Sequence, residues 1–269
     1  MATQLLMAKS PEEAIGAKNA SAVFIAGGTE VNRLGSDAAA AADTLISLKK
    51  CAGLNEIKDA GDKVCFGAMC TFQQIVESEK VPSYLKETAL FMASRTKRNM
   101  ATIGGNIAAL RDDSYLLPVL FAVHAELELL KAGGTESMPA YSYMESAEAG
   151  GDALITAVSI PKKMKVVSKR YANTAQSHAV LTMSAAMTGE GISLYGAVKN
   201  VGLLYFCDLE KAFRENPDIS EDEIIEMVRV CTGLETADDM FGSDAYKRYL
   251  IGETAFILHS RLTGKGVQR

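Results

Sequence analysis

The chain has 269 residues, 48% of them hydrophobic, and a formal net charge of −5. That length exceeds one ordinary core, so two or three packed subdomains are expected, and the apolar content is ample to bury them. A mildly acidic balance with no long run of one sign argues against nucleic acid or a membrane surface as partner. The opening MATQLLMAKSPEEA has no basic stretch followed by an apolar run, and no segment approaches the length that spans a bilayer, so a cytoplasmic location is expected.

The first predicted element is a short helix starting near Pro11, with Glu12 and Glu13 in the first turn, where the helix dipole favours acids. Residues Ser21 to Ala26 read as an apolar strand that stops at Gly27-Gly28, and Thr44 to Leu48 as a second apolar piece. They predict a small α/β subdomain over 1–55, its glycine pair at the carboxyl end of a buried strand. From Asp62, VCFGAM reads as a strand. Thr71-x-x-Gln74 is a capping box opening a helix towards Glu79, and Pro82 starts a further helix, SYLKETALFMASRTKR, that runs directly into NMATIGGNIAA. LLPVLFAVHAELELL and DALITAVSIP complete a second α/β subdomain over 56–163.

Over 164–269 the character changes. SKRYANTAQSHAVLTMSAAM and ISLYGAVKNV read as strands joined by a turn at Gly189 to Gly191. Ser220-x-x-Glu223 is a second capping box, and Ser243 or Asp244 can cap AYKRYLIGETAFILHSRL. The fold class is therefore α+β: two α/β subdomains followed by an antiparallel sheet with helices.

Cys51, Cys65, Cys70, Cys207 and Cys231 are odd in number and widely spread, without a Cys-x-x-Cys pair. They signal neither a disulfide framework nor a zinc or iron–sulfur site, and half-buried thiols are the expectation. His124, His178 and His259 do not cluster either and read as structural. No metal site and no catalytic acid, base or nucleophile is predicted. Walker, His-Glu-x-x-His and nucleophile-elbow patterns are absent, and neither glycine pair belongs to a Gly-x-Gly-x-x-Gly fingerprint.

The chemistry concentrates in two loops, AGGTE at 26–30 and TIGGN at 102–106. A nucleotide pyrophosphate needs backbone N–H groups converging on it, and side chains obstruct that approach, so glycine pairs at strand ends suit the task. One such pair is most often only a tight turn. Here there are two, Gly27-Gly28 and Gly104-Gly105, with Thr29, Thr102 and Asn106 beside them to extend the donor set.

FIAGGTEVNRL, RNMATIGGNIA followed by LLPVL, and SDAYKRYL together resemble the FAD-binding medium subunit of the molybdenum hydroxylases. That family includes the flavin parts of xanthine dehydrogenase, carbon monoxide dehydrogenase and nicotinate dehydrogenase. The resemblance covers essentially the whole chain. It implies FAD as cofactor and two FAD-binding subdomains of the PCMH/vanillyl-alcohol-oxidase-like type. It also implies pyrophosphate contacts from Ala26, Gly27, Gly28, Thr29 and Glu30 and from Thr102, Ile103, Gly104, Gly105 and Asn106. Two departures stand out: Tyr115 occupies the place of a flavin-contacting aspartate, for which Asp112 or Asp113 could substitute, and the family's Lys-x-x-x-Arg element keeps Lys169 but has Asn173.

The resemblance further implies partners: a [2Fe-2S] subunit and a large molybdenum-cofactor subunit, with electrons leaving FAD for NAD or another acceptor. Two alternatives stay open, a flavin-free assembly subunit of the same complex and a stand-alone FAD oxidoreductase.

Overall fold

The computed structural model describes residues 4–33, 42–146 and 153–265, and its chain contacts group it into two units, one of residues 1–110 and 124–162, the other of 111–123 and 163–269. Residues 34–41, after the first glycine pair, lie outside the described residues.

The first unit opens with a strand that the periodicity did not announce, β1 (Gln4–Met7), because four residues are too few to show alternation. Helix α1 (Pro11–Gly16) begins where expected: Ser10 Oγ accepts the Glu13 amide at 3.2 Å and Pro11 opens the first turn. Strands β2 (Ala22–Ile25) and β3 (Thr44–Ser47) complete a parallel sheet of order β1-β3-β2, with Leu6 and Phe24 both in register with Ile46. Its core gathers Ala8, Ala14, Ala22, Ile46, Leu48, Cys51 and Leu54.

The same unit holds a five-stranded antiparallel sheet, β4 (Ile57–Ala60), β5 (Lys63–Gly67), β6 (Glu126–Lys131), β7 (Gly134–Pro139) and β8 (Leu154–Pro161), in the order β4-β5-β8-β6-β7. Helix α2 (Phe72–Glu77) carries the expected reciprocal cap between Thr71 and Gln74. The stretch read as one helix from Pro82 is two, α3 (Ser83–Leu90) and α4 (Arg95–Met100), the second capped by Ser94. The corner between them is held by buried Arg98, whose Nη1 donates to the Met92 carbonyl at 2.6 Å and to the Ala93 carbonyl at 2.9 Å. Satisfying those carbonyls compensates the helical hydrogen bonds lost at the break. Helix α5 (Ile103–Ala109) follows within the same glycine-containing stretch.

In the second unit, a segment read above as part of 56–163 packs instead with the C-terminal sheet: α6 (Leu117–Ala122) lies on β10 (Leu181–Thr188) and β11 (Gly191–Val198). All six residues of α6 are buried. Together with β9 (Val166–Tyr171) and β12 (Gly202–Tyr205), these strands form an antiparallel sheet of order β12-β11-β10-β9, and Thr188 pairs with Gly191 across the expected tight turn. Helix α7 (Ala140–Glu145) belongs to the first unit, whereas α8 (Cys207–Glu215), α9 (Glu221–Val230) and α10 (Asp244–Thr263) cover this second sheet around Met183, Leu194, Ile224, Ile251 and Leu258. Ser220 and Glu223 form the second capping box, and Ser243, not Asp244, caps α10 through the Tyr246 amide at 3.2 Å.

Among the described residues, Cys51 and Cys70 are fully buried and all five thiols are free. His259 stacks on Phe213 with ring centroids 4.4 Å apart, and His178 Nδ1 pairs with Asp113 at 2.7 Å. No helix among the described residues is long and apolar enough to cross a membrane.

Candidate functional site

The first unit contains a cavity of about 390 Å³ between the two glycine loops. Ala26, Gly27, Gly28, Thr29 and Glu30 line it from the end of β2, and Thr102, Gly104 and Gly105 line it from the start of α5. Of the second loop's remaining members, Ile103 is fully buried as a core anchor and Asn106 is half-buried, and neither is among the lining residues.

The loops are brought together by backbone packing that tolerates no side chain. A Cβ on Gly27 would stand 1.7 Å from the carbonyl oxygen of Met100, and one on Gly104 would stand 2.5 Å from the Ala68 Cβ and 2.9 Å from its carbonyl oxygen. Gly28 completes the turn with φ of +75°. Both glycine pairs thus have a packing role whatever they bind.

Their hydrogen-bonding states differ. The amides of Ile103 and Gly104 donate to the carbonyls of Cys70 and Ala68, that of Gly105 to Thr102 Oγ1 at 3.1 Å, and that of Asn106 to the Thr102 carbonyl. The amides of Ile103 to Asn106 in the second loop are therefore satisfied within the chain. Thr102 Oγ1, an acceptor from Gly105, keeps its own proton to donate. In the first loop, by contrast, the amides of Gly27, Gly28 and Thr29 find no acceptor among the described residues. Three successive unused N–H groups lining a cavity make a ready anion cradle.

Lys18 and Glu30 are the charged residues of the lining, and Glu30 is paired with Arg33 at 2.9 Å. The rest is mostly apolar or small: Phe24, Leu48 and Met69 near the first loop, Tyr143 from α7, and Ala153, Leu154 and Ile155 from the start of β8. Leu154 and Ile155 carry no local motif, and the pairing of β8 with β6 positions them.

Asp113 and Lys169 are not lining residues of this cavity; both belong to the second unit. Asp113 is not the solvated surface acid that an Asp-Asp pair suggests. It is 5% exposed, accepts two hydrogen bonds from Arg111 at 2.7 Å each, and lies 3.7 Å from Lys199 in addition to His178. Burial alone would raise its pKa, but the Arg111 hydrogen bond and the charges of Arg111, Lys199 and His178 outweigh it and hold the carboxyl below its ordinary value. Asp112 is equally engaged, by Lys199 Nζ at 2.7 Å and the Asn200 amide at 2.8 Å. Lys169 lies 4.6 Å over the Tyr171 ring, whose hydroxyl donates to Glu253. Tyr115 packs under the Arg170 guanidinium, 5.3 Å from its ring centroid.

The fold matches that of a chain of quinoline 2-oxidoreductase from Pseudomonas putida 86 (TM-score 0.83, 21% identity) and of a chain of carbon monoxide dehydrogenase from Hydrogenophaga pseudoflava (TM-score 0.83, 20% identity), each over 98% of both chains. The chain belongs to the family described as FAD binding domain in molybdopterin dehydrogenase, which matches residues 1–163. It is 33% identical to YgfM of Escherichia coli K12 over 190 residues, covering 69% of this chain and 68% of that one. It is 32% identical to the carbon monoxide dehydrogenase medium chain of Afipia carboxidovorans over 180 residues, 60% and 61% of the two chains. With the glyceraldehyde dehydrogenase medium chain of Sulfolobus acidocaldarius it shares 24% over 228 residues, 78% and 79%. FAD is the cofactor of this family. The cavity fits it: the amides of Gly27 to Thr29, without an acceptor among the described residues, answer an anionic pyrophosphate, and the small residues at both loops leave room for close backbone approach.

Proposed function

We propose that this chain is the flavin-carrying electron-transfer subunit of a molybdenum hydroxylase-like complex, active only with its partners. Electrons would arrive one at a time from [2Fe-2S] clusters in a small subunit, after substrate oxidation at a molybdenum centre in a large one, and leave for an acceptor such as NAD. FAD suits that position because it exchanges single electrons and hydride equivalents alike. In the same reading the complex is xanthine dehydrogenase-like and cytoplasmic, and the flavin-holding parts are those read at 1–55 and 56–163, less 111–123, which packs with the sheet-plus-helix part.

The observation that carries the proposal is that the amides of Gly27, Gly28 and Thr29 have no acceptor among the described residues and face a second glycine loop across one cavity. The contribution of this chain is to bind and orient. The first loop supplies amide donors, Thr102 a hydroxyl proton, and Ala26, Gly104 and Gly105 a surface without bulk; Glu30 closes the first loop through Arg33. Ile103 and Asn106 act through the placement of α5, and Asp113 and Lys169 would act as flavin contacts only from the second unit. No residue of this chain needs to serve as acid or base.

An absorbance spectrum of the purified chain, followed by chromatography of the cofactor released on denaturation, tests this directly. Oxidised-flavin bands with about one FAD per chain are expected. A colourless protein that takes up no added FAD, alone or with co-purified partners, would leave the flavin-free assembly subunit as the reading. Turnover of a substrate by the yellow chain alone would favour a stand-alone oxidoreductase.

A further inference from the structure

The cavity is not confined to the glycine loops. It continues back along β2 past Phe24, Val23 and Ala22 to Lys18. Phe24 precedes Gly27 by three residues, which at the rise of an extended strand is roughly 10 Å, about the length of a nucleoside attached to the phosphates that the loop amides would hold. At this end Lys18 Nζ stands 6.0 Å from the Phe24 ring centroid and donates to the Asn19 carbonyl at 3.2 Å. Lys18 is half-buried and is the only cation among the described residues lining the cavity. Phe24 is half-buried too, packed on one side against the core of the small parallel sheet.

We propose that Lys18, seated on Phe24, reads the adenosine half of the dinucleotide and so selects FAD over FMN. The inference rests on the flavin-carrying reading above and adds a residue to it. A lysine ammonium has three donors on a flexible stem, so it can meet a ribose hydroxyl oxygen or an adenine ring nitrogen while retaining the Asn19 bond. Phe24 gives the base an apolar wall. FMN has the phosphate but no second nucleoside; with its phosphate on the loop amides it would leave this end empty, so any interaction made there separates the two flavins.

Equilibrium binding of FAD, FMN and riboflavin to the full chain, read by flavin fluorescence, tests the assignment in wild type, Lys18→Met, Lys18→Arg and Phe24→Leu. Loss of one charge-assisted hydrogen bond corresponds to about tenfold in affinity. Lys18→Met is therefore expected to weaken FAD about tenfold, leave FMN and riboflavin unchanged, and shrink the FAD-to-FMN preference by the same factor. Lys18→Arg should restore most of that preference, and Phe24→Leu should erode it in the same direction. An unchanged preference in Lys18→Met, or equal losses for FAD and FMN, would overturn the assignment, the latter by showing that Lys18 serves the shared phosphate. Wild type binding neither flavin, with or without its partners, would overturn the flavin-carrying reading as well. Wild type binding FAD while the variants keep its preference would overturn this assignment alone. Far-UV circular dichroism on each variant separates misfolding from a lost contact, and Lys18→Arg keeps the test decisive if Lys18→Met is poorly folded.

Discussion

Gly27 lies against the carbonyl oxygen of Met100 so closely that a methyl carbon at Gly27 would stand 1.7 Å from that oxygen. This contact joins the first glycine loop to the residue that ends α4, two positions before Thr102 opens the second loop. The two glycine loops are thus one packed unit, and their separation is set by backbone against backbone.

Gly27→Ala should accordingly damage both folding and binding. A backbone carbonyl cannot rotate away as a side-chain tip can, so the loops must part. Overpacking of this kind costs about 3 kcal/mol or more at the upper end of its range. Urea denaturation should show a lowered midpoint, and the variant should purify with little or no FAD. Gly16→Ala, at a position where a Cβ meets nothing within 4 Å, is the control and should change neither.

Thr102 links the second loop to α5 through one hydroxyl. Replacing it with valine keeps the shape, removes the acceptor of the Gly105 amide at 3.1 Å, and removes the proton available to a ligand. Stability should fall by about 1 kcal/mol, as for loss of a helix N-cap, and FAD affinity should fall with it. Thr102→Ser keeps the hydroxyl and should retain most of both, as measured by urea midpoints and flavin titration.

Ligand binding to the folded chain alone must raise its stability. At free FAD about a hundredfold above the dissociation constant the gain is about 2.7 kcal/mol. A thermal scan with and without FAD should show a higher midpoint for the wild type and a smaller shift for Thr102→Val at the same FAD concentration. Equal shifts would show that the hydroxyl does not contribute to holding the cofactor.

In the second unit, Lys247 is 2% exposed and its ammonium is met by Asp239 at 2.6 Å and the Ala237 carbonyl at 2.9 Å. The Lys247 hydrogen bond, helped by Asn200 and the Phe241 amide, pushes the Asp239 carboxyl down to about 2. A depressed carboxylate contributes stability that is complete above its unfolded value near 4, and that contribution disappears as pH falls from about 4 towards 2. Asp239→Asn, which leaves a buried ammonium without its counter-charge, should cost about 3 kcal/mol at pH 7. Urea midpoints for wild type and variant should converge as pH falls through that window. A constant gap down to pH 2 would show that the ion pair is not the source of the difference.

Helix starts at Ser10, Thr71, Ser220 and Ser243 are legible in the sequence because an N-cap is a local bond to an amide three residues on. The tight turn between β10 and β11 and both glycine loops are legible for the same reason, as are the family and its cofactor through the motifs around Gly27-Gly28 and Gly104-Gly105. Tertiary structure alone decided the rest. It broke the helix after Leu90, where Arg98 satisfies the exposed carbonyls, and it drew 111–123 onto the C-terminal sheet, where α6 buries every side chain. It buried Asp113 among Arg111, Lys199 and His178 and brought Lys18, Tyr143 and Ala153 to the cavity. It also engaged the amides of Gly104 and Gly105 within the chain and left those of Gly27 and Gly28 without an acceptor among the described residues, a difference that identical Gly-Gly pairs cannot express. Capping and turn chemistry act over three or four residues and are written in order along the chain. Burial, ion pairing and amide satisfaction depend on which distant backbone arrives alongside, and that is fixed only when the sheets pair and the cores close.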